Sequence, residues 1–212
     1  MKRLLLVPTL FALILVGAAS SAQADPITLV SIGTNTFQGT SAGPYSAILN
    51  GSPISMMCLS FNRHVAVGQT WDVAVNSLDA SGVANALYGG QRKSLLKYQR
   101  AAWLYDQLTA APTQASAIQG AIWNIFRAST PDNAASIQWL SAAMGANLAG
   151  YDFSRFRILT PLDRGRHGPQ EMMTTVPEPM TMLLLGSGLL GVAAKVRRHR
   201  RRNSDMAEPT EV

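Results

Sequence analysis

An apolar segment lies near each end of this 212-residue chain, and the two segments confine the folded domain to the residues between them. The first follows Met1-Lys2-Arg3, spans Leu4 to Val16 and leads into small residues that end in Ala22-Gln23-Ala24. A basic start, a short apolar core and an Ala-x-Ala sequence are typical of a secretory signal peptide. We predict a signal peptide over 1–24, cleaved after its last residue; the alternative is an uncleaved membrane anchor.

The C-terminal apolar segment, residues 180–196, has different flanks on its two sides. Val176-Pro177-Glu178-Pro179 precedes it. A helix needs about 20 residues to cross a bilayer, and basic side chains at its end can extend a slightly shorter one. Basic residues stay on the cytoplasmic side. We predict a transmembrane helix over 180–196 and a cytoplasmic tail over 203–212, separated by a basic stop cluster of Lys195, Arg197, Arg198, Arg200, Arg201 and Arg202.

The order of a Pro-Glu-Pro sequence, an apolar helix and an arginine cluster over 176–202 resembles the PEP-CTERM sorting signal of Gram-negative bacteria. The resemblance implies that an exosortase, a membrane peptidase-transferase, recognises the chain and cuts near Pro177-Glu178-Pro179. The tail over 203–212 is longer than is usual in that family. Because sorting motifs are read by receptors, a plain tail anchor is the alternative.

Most of the formal net charge of +6 belongs to the two ends of the chain. Residues 25–176 hold ten Lys and Arg against eight Asp and Glu, which leaves the mature region close to neutral and predicts no nucleic-acid partner. The single cysteine, Cys58, excludes an internal disulfide. We predict one globular domain over 25–160 and, because residues 161–175 contain Gly and Pro and hold no large apolar residue between Leu162 and Met172, a linker from 161 to the sorting signal.

Alternating apolar residues and turn residues predict short strands, whereas spacings of three and four predict helices. Strands are predicted at 27–33, 45–49, 54–61, around Trp71, Val73 and Val75, and, returning after the helices, at 151–159. Helices are predicted at 92–108 and 114–128, and a third carries Ile137, Leu140, Met144 and Leu148. We predict an α+β fold: short antiparallel strands, then about three helices and a returning strand, plus an N-terminal signal helix and a C-terminal transmembrane helix.

The predicted domain does not contain the residues of a conventional catalytic site. His64 is its only histidine, and its carboxylates are scattered along the sequence. A zinc site or a Ser-His-Asp triad needs a richer set of side chains. We therefore predict no enzyme activity, no metal site and no cofactor.

One pair of residues suggests chemistry of another kind. Cys58 lies on a predicted strand, and Gln119 lies in the helical sequence Ala117-Ile118-Gln119-Gly120-Ala121-Ile122-Trp123. With the preceding helical residues Tyr98 and Ala101 to Leu104, these resemble the thioester domains of bacterial surface adhesins, which pair a strand Cys with a Thr-Gln-x-Ala helix. Ile118 stands where that family has Thr.

The resemblance implies that the thiol of Cys58 attacks the side-chain amide of Gln119 and expels ammonia, giving an internal thioester. A partner's amine could then attack the thioester. The amide would need a hydrogen-bond donor on its oxygen, and backbone N–H groups near Gly120 are one candidate. The alternative is an ordinary buried cysteine and an ordinary helical glutamine.

These observations predict an exported surface or extracellular-matrix protein, sorted by an exosortase and adhesive through the Cys58–Gln119 thioester. It would begin as a precursor anchored in the inner membrane and end at the cell surface or outside the cell. Exopolysaccharide and an amine-bearing surface ligand are the candidate partners. The alternative is a secreted hydrolase or carbohydrate-binding module with the same sorting signal.

Overall fold

A computed structural model describes residues 24–176 of the chain. The signal peptide predicted over 1–24 therefore lies outside the described residues, apart from its last position. The transmembrane helix predicted over 180–196, the basic stop cluster and the tail lie outside them as well. Within the described part, none of the helices is both long enough and apolar enough to cross a membrane.

Six antiparallel strands form a closed barrel in the order β1-β4-β5-β8-β7-β6. A small hairpin, β2–β3, lies outside this sheet between β1 and β4. The strands are β1 Asp25–Ser31, β2 Thr36–Phe37, β3 Thr40–Ser41, β4 Tyr45–Leu49, β5 Ser52–Cys58, β6 Thr70–Ser77, β7 Phe156–Pro161 and β8 Met172–Thr175.

Within residues 24–176, all the helices lie in the segment that connects β6 to β7. They are α1 Ala80–Ala84, α2 Ser94–Asp106, a 3-10 turn at Pro112–Gln114, α3 Ala115–Phe126 and α4 Ala134–Gly145. Ten of the 12 residues of α3 are buried, because this helix packs against α2, α4 and strand β5. A helix that is apolar on nearly all sides is stable only when it is surrounded in this way.

Side chains of the barrel strands alternate between two apolar clusters. On β5, Met56 and Cys58 belong to a cluster inside the barrel, whereas Met57 belongs to one between the barrel and the helices. Successive side chains of a strand point to opposite faces, so one strand serves both clusters. Trp123 of α3 joins the inner cluster, which ties the central helix to the barrel interior.

The predicted α+β class is wrong, because the strands close into a barrel that the helices only interrupt. The individual segments are close to prediction: α2 and α3 form within 92–108 and 114–128, and β4 spans the predicted 45–49. Closure depends on the pairing of β1 with β6, in which Ile27 lies opposite Trp71. Strand periodicity contains no information about which distant strand becomes the neighbour.

The linker predicted over 161–175 is also wrong. Its last four residues form β8, which pairs with β5 on one side and with β7 on the other. Met172 and Met173 are fully buried. A four-residue strand that follows a loop containing Gly and Pro gives too short a pattern to recognise. The folded domain therefore continues through Thr175.

Candidate functional site

Cys58 ends strand β5 and lies in the apolar cluster inside the barrel. Its side chain is fully buried and is a free thiol that donates a hydrogen bond to the carbonyl oxygen of Ser60 at 3.4 Å. Its neighbour across the sheet is Met172 of β8. The thiol is therefore held on a rigid strand that is paired and covered.

The side-chain amide of Gln119 lies directly against the backbone of Cys58. Its Nε2 donates to the Cys58 carbonyl oxygen at 2.7 Å, and its Oε1 accepts from the Cys58 N–H at 3.3 Å. Gln119 has no exposed surface. The two residues that the sequence singled out, 61 positions apart, are thus brought together by the packing of α3 on β5.

A second backbone donor reaches the same amide oxygen. The N–H of Gly43 donates to Oε1 of Gln119 at 3.2 Å. Two N–H groups on one carbonyl oxygen polarise the carbonyl in the manner of an oxyanion hole. The sequence suggested donors near Gly120; the structure places the two donors at Gly43 and Cys58 instead.

Only glycine fits at position 43. A Cβ there would lie 2.7 Å from the Met57 sulfur and 3.0 Å from Oε1 of Gln119. A side chain would therefore push the donor away from the amide. Gly43 was missed by sequence reasoning because a Gly-Pro pair between strands looks like an ordinary turn.

Aromatic rings cover the pair. Trp123, one helical turn after Gln119, makes edge-to-face contacts with Phe61 at 5.1 Å and with Phe37 at 6.2 Å between ring centroids. Its indole N–H has no geometrically satisfactory hydrogen bond, but it lies close enough to the Cys58 thiol to favour the thiolate. These rings exclude water from the pair.

Burial raises the pKa of Cys58 to about 12, against the smaller lowering effects of Trp123 and of the Ser60 carbonyl. At neutral pH the side chain is therefore a thiol and not the more nucleophilic thiolate. Any attack by this sulfur must include loss of its proton.

Glu171 is a second buried polar group, close to Cys58, that the sequence did not single out. Its carboxylate accepts hydrogen bonds from the Leu87 N–H at 2.6 Å, from the Tyr98 hydroxyl at 2.5 Å and from the Thr160 hydroxyl at 2.8 Å. Burial raises the pKa of Glu171 despite these donors. Its carboxylate fixes β7, β8 and α2 to one another.

The remaining predicted site residues belong to the sorting signal. Val176 is exposed just after β8, and Pro177-Glu178-Pro179 and the basic stop cluster lie outside the described residues. Within 24–176 there is no group of three His, Cys, Asp or Glu side chains that could hold a metal ion.

Comparison with known proteins identifies a sorting motif near the C-terminal end of the chain. A family model described as the PEP-CTERM protein-sorting motif matches residues 175–198. No curated protein and no solved structure matches the chain. The chain is thus an exported protein with a membrane-passing sorting signal, and the motif implies processing by an exosortase.

Proposed function

We propose that this exosortase-sorted protein is a non-enzymatic adhesin of the cell surface or extracellular matrix, which attaches covalently to its partner through a thioester between Cys58 and Gln119. The observation that carries the proposal is the double N–H contact on the Gln119 amide oxygen, beside the only cysteine. The same contacts satisfy the buried amide oxygen, and they also place two donors where negative charge would develop during an attack.

The reaction is a simple acyl transfer. The sulfur of Cys58 bonds to the amide carbon of Gln119, the carbon–nitrogen bond breaks, and the thiol proton leaves on the nitrogen as ammonia. The hydrogen bonds from the amide to both backbone groups of Cys58 support the proposal, because they hold the amide beside the residue that carries the sulfur. A sulfur well aligned with the amide carbon would have an effective molarity of about 10⁵ M or more. Burial of both side chains would then protect the thioester from water.

The intact mass of the processed protein tests the proposal. Loss of ammonia lowers the mass by about 17 Da, and methylamine should open the thioester and label Gln119. Cys58→Ala should abolish both changes. Gln119→Glu is the matched control, since it keeps the shape of the side chain but has no ammonia to lose. A full-mass protein whose Cys58 reacts stoichiometrically with a thiol reagent in denaturant would contradict the proposal.

A further inference from the structure

Residues 25–176 are nearly neutral, yet their cations are concentrated at two clefts. The larger cleft has a volume of about 820 Å³ and the smaller about 370 Å³. Seven of the ten lysines and arginines line them, and none of the eight carboxylates does. Segregated charge of this kind produces a strong local field that the net charge conceals. The cations are Arg63, Arg127 and Arg166 in the larger cleft and Arg92, Lys93, Lys97 and Arg100 in the smaller.

Two of the three arginines of the larger cleft, Arg63 and Arg127, have neutral partners. Arg127 donates to the Ser129 hydroxyl at 2.8 Å, and the amide of Asn62 faces the other side of its guanidinium group. Arg63 donates to three backbone carbonyls of the loop 163–169, one of them at 2.7 Å, and so fixes the loop that carries Arg166. Among residues 24–176 the one ion pair joins other side chains. The charges in the cleft are therefore held in place without being neutralised.

The linings of the two clefts draw on the same two stretches of the chain. In the first stretch, Leu87 and Tyr88 line the larger cleft and Arg92 lines the smaller. In the second stretch, Arg127 lines the larger cleft and Ile125 lines the smaller. The strip between the clefts is fixed, because Gln91 donates to the Phe126 carbonyl oxygen and Tyr88 stacks on the Phe126 ring. A chain with repeated negative charges matches two clefts that are both lined by cations.

We infer that the two basic clefts bind an acidic polysaccharide, a chain of sugars that carries carboxylates. Guanidinium groups pair with carboxylates through two parallel hydrogen bonds. Phe61 and Tyr88 provide aromatic surface in the larger cleft, and His64 and His167 provide further hydrogen-bonding groups. The inference gives a chemical class to the exopolysaccharide partner expected from the sequence, and it does not require the thioester.

Binding of polygalacturonate to the processed protein at 0.15 M salt tests the inference. The processed protein is used so that the basic residues 195–202 cannot contribute. Arg127→Gln and Arg166→Gln should each weaken binding about tenfold, the effect of losing one charge-assisted hydrogen-bonding group. Arg157→Gln, on β7 outside the clefts, removes the same charge and should leave the affinity unchanged. Unaltered melting temperatures would establish that each variant is folded.

Three outcomes would overturn the inference: no binding of polygalacturonate, equal affinities of the cleft variants and Arg157→Gln, or equally tight binding of single-stranded DNA. The last would indicate a general polyanion site. Neutral dextran should not bind. Cys58→Ala should bind polygalacturonate like the unmodified protein, and Arg127→Gln should keep the mass loss of the thioester. Failure of one proposal is therefore distinguishable from failure of the other.

Discussion

Glu171 is a buried carboxylate whose ionisation the fold controls. Its carboxylate is fully buried, and burial raises its pKa above the ordinary 4.5 of a glutamate. Such a group binds its proton more tightly in the folded than in the unfolded protein. Its contribution to stability is therefore complete below the unfolded pKa and is lost as the pH rises through the folded pKa.

Replacing Glu171 with Gln should remove this pH dependence. The free energy of unfolding of Glu171→Gln minus that of the unmodified protein should increase as the pH rises from 4.5, by at most about 1.4 kcal/mol per pH unit. Urea unfolding at a series of pH values measures the difference. The change of this free-energy difference with pH is the informative quantity. Its absolute value also includes the effect of the amide on three hydrogen bonds. Parallel stability curves would contradict the argument.

The contact between the β2–β3 hairpin and helix α3 depends on one glycine. The ring of Phe37 occupies the space beside Gly120, where a Cβ would lie 2.3 Å from its Cζ atom. A hydrogen bond also anchors the hairpin: the side-chain amide of Gln38 donates to the Asp132 carbonyl oxygen at 3.0 Å. The hairpin thereby covers the helix turn that contains Gln119.

Gly120→Ala should destabilise the protein by about 1–3 kcal/mol, because overpacking outweighs the better helix propensity of alanine. Gly145→Ala is the matched control, since a Cβ at the end of α4 would meet nothing within 4 Å. That variant should be neutral or slightly stabilising. Urea unfolding of both compares them directly, and similar effects at the two positions would show that Phe37 does not restrict position 120.

The sequence predicts some of the secondary structure elements and site residues but not others. The sequence predicts that Cys58 and Gln119 lie together, because the resemblance to thioester domains includes both residues. It also predicts α3, whose apolar residues have a clear helical spacing. Gly43 and Glu171 were not predicted, since each acts on residues far away in sequence. Their roles arise from close packing between elements, which local patterns do not specify.

At the scale of the whole molecule, the strands of the barrel begin directly after the predicted signal peptide and end directly at the sorting motif. Strand β1 begins at Asp25, the first residue after the predicted signal peptide, and β8 ends at Thr175, where the sorting motif begins. Removal of both ends would leave every barrel strand in place. The sequence could not reveal this arrangement, because a closed barrel depends on pairing between distant strands.

The barrel should therefore require β8 but nothing beyond it. A chain of residues 25–176 should unfold in one cooperative transition. A chain of residues 25–170 should not, because it opens the barrel by leaving one edge each of β5 and β7 without a partner, and because it removes the buried Met172 and Met173. Circular dichroism during heating compares the two. Equal melting temperatures would mean that β8 contributes nothing to the fold.

The position of β8 also decides how the protein would respond to mechanical tension. A pull on the sorting signal acts along β8, whose hydrogen bonds to β5 and β7 would resist together in shear. Cys58 lies opposite Met172 on the neighbouring strand, and its backbone holds Gln119. A partner attached at Gln119 would thus have a direct connection to the sorting signal through α3, β5 and β8. Since the rate of unfolding governs resistance to force, the lifetime of such an attachment would depend on this short path and not on the stability of the barrel as a whole.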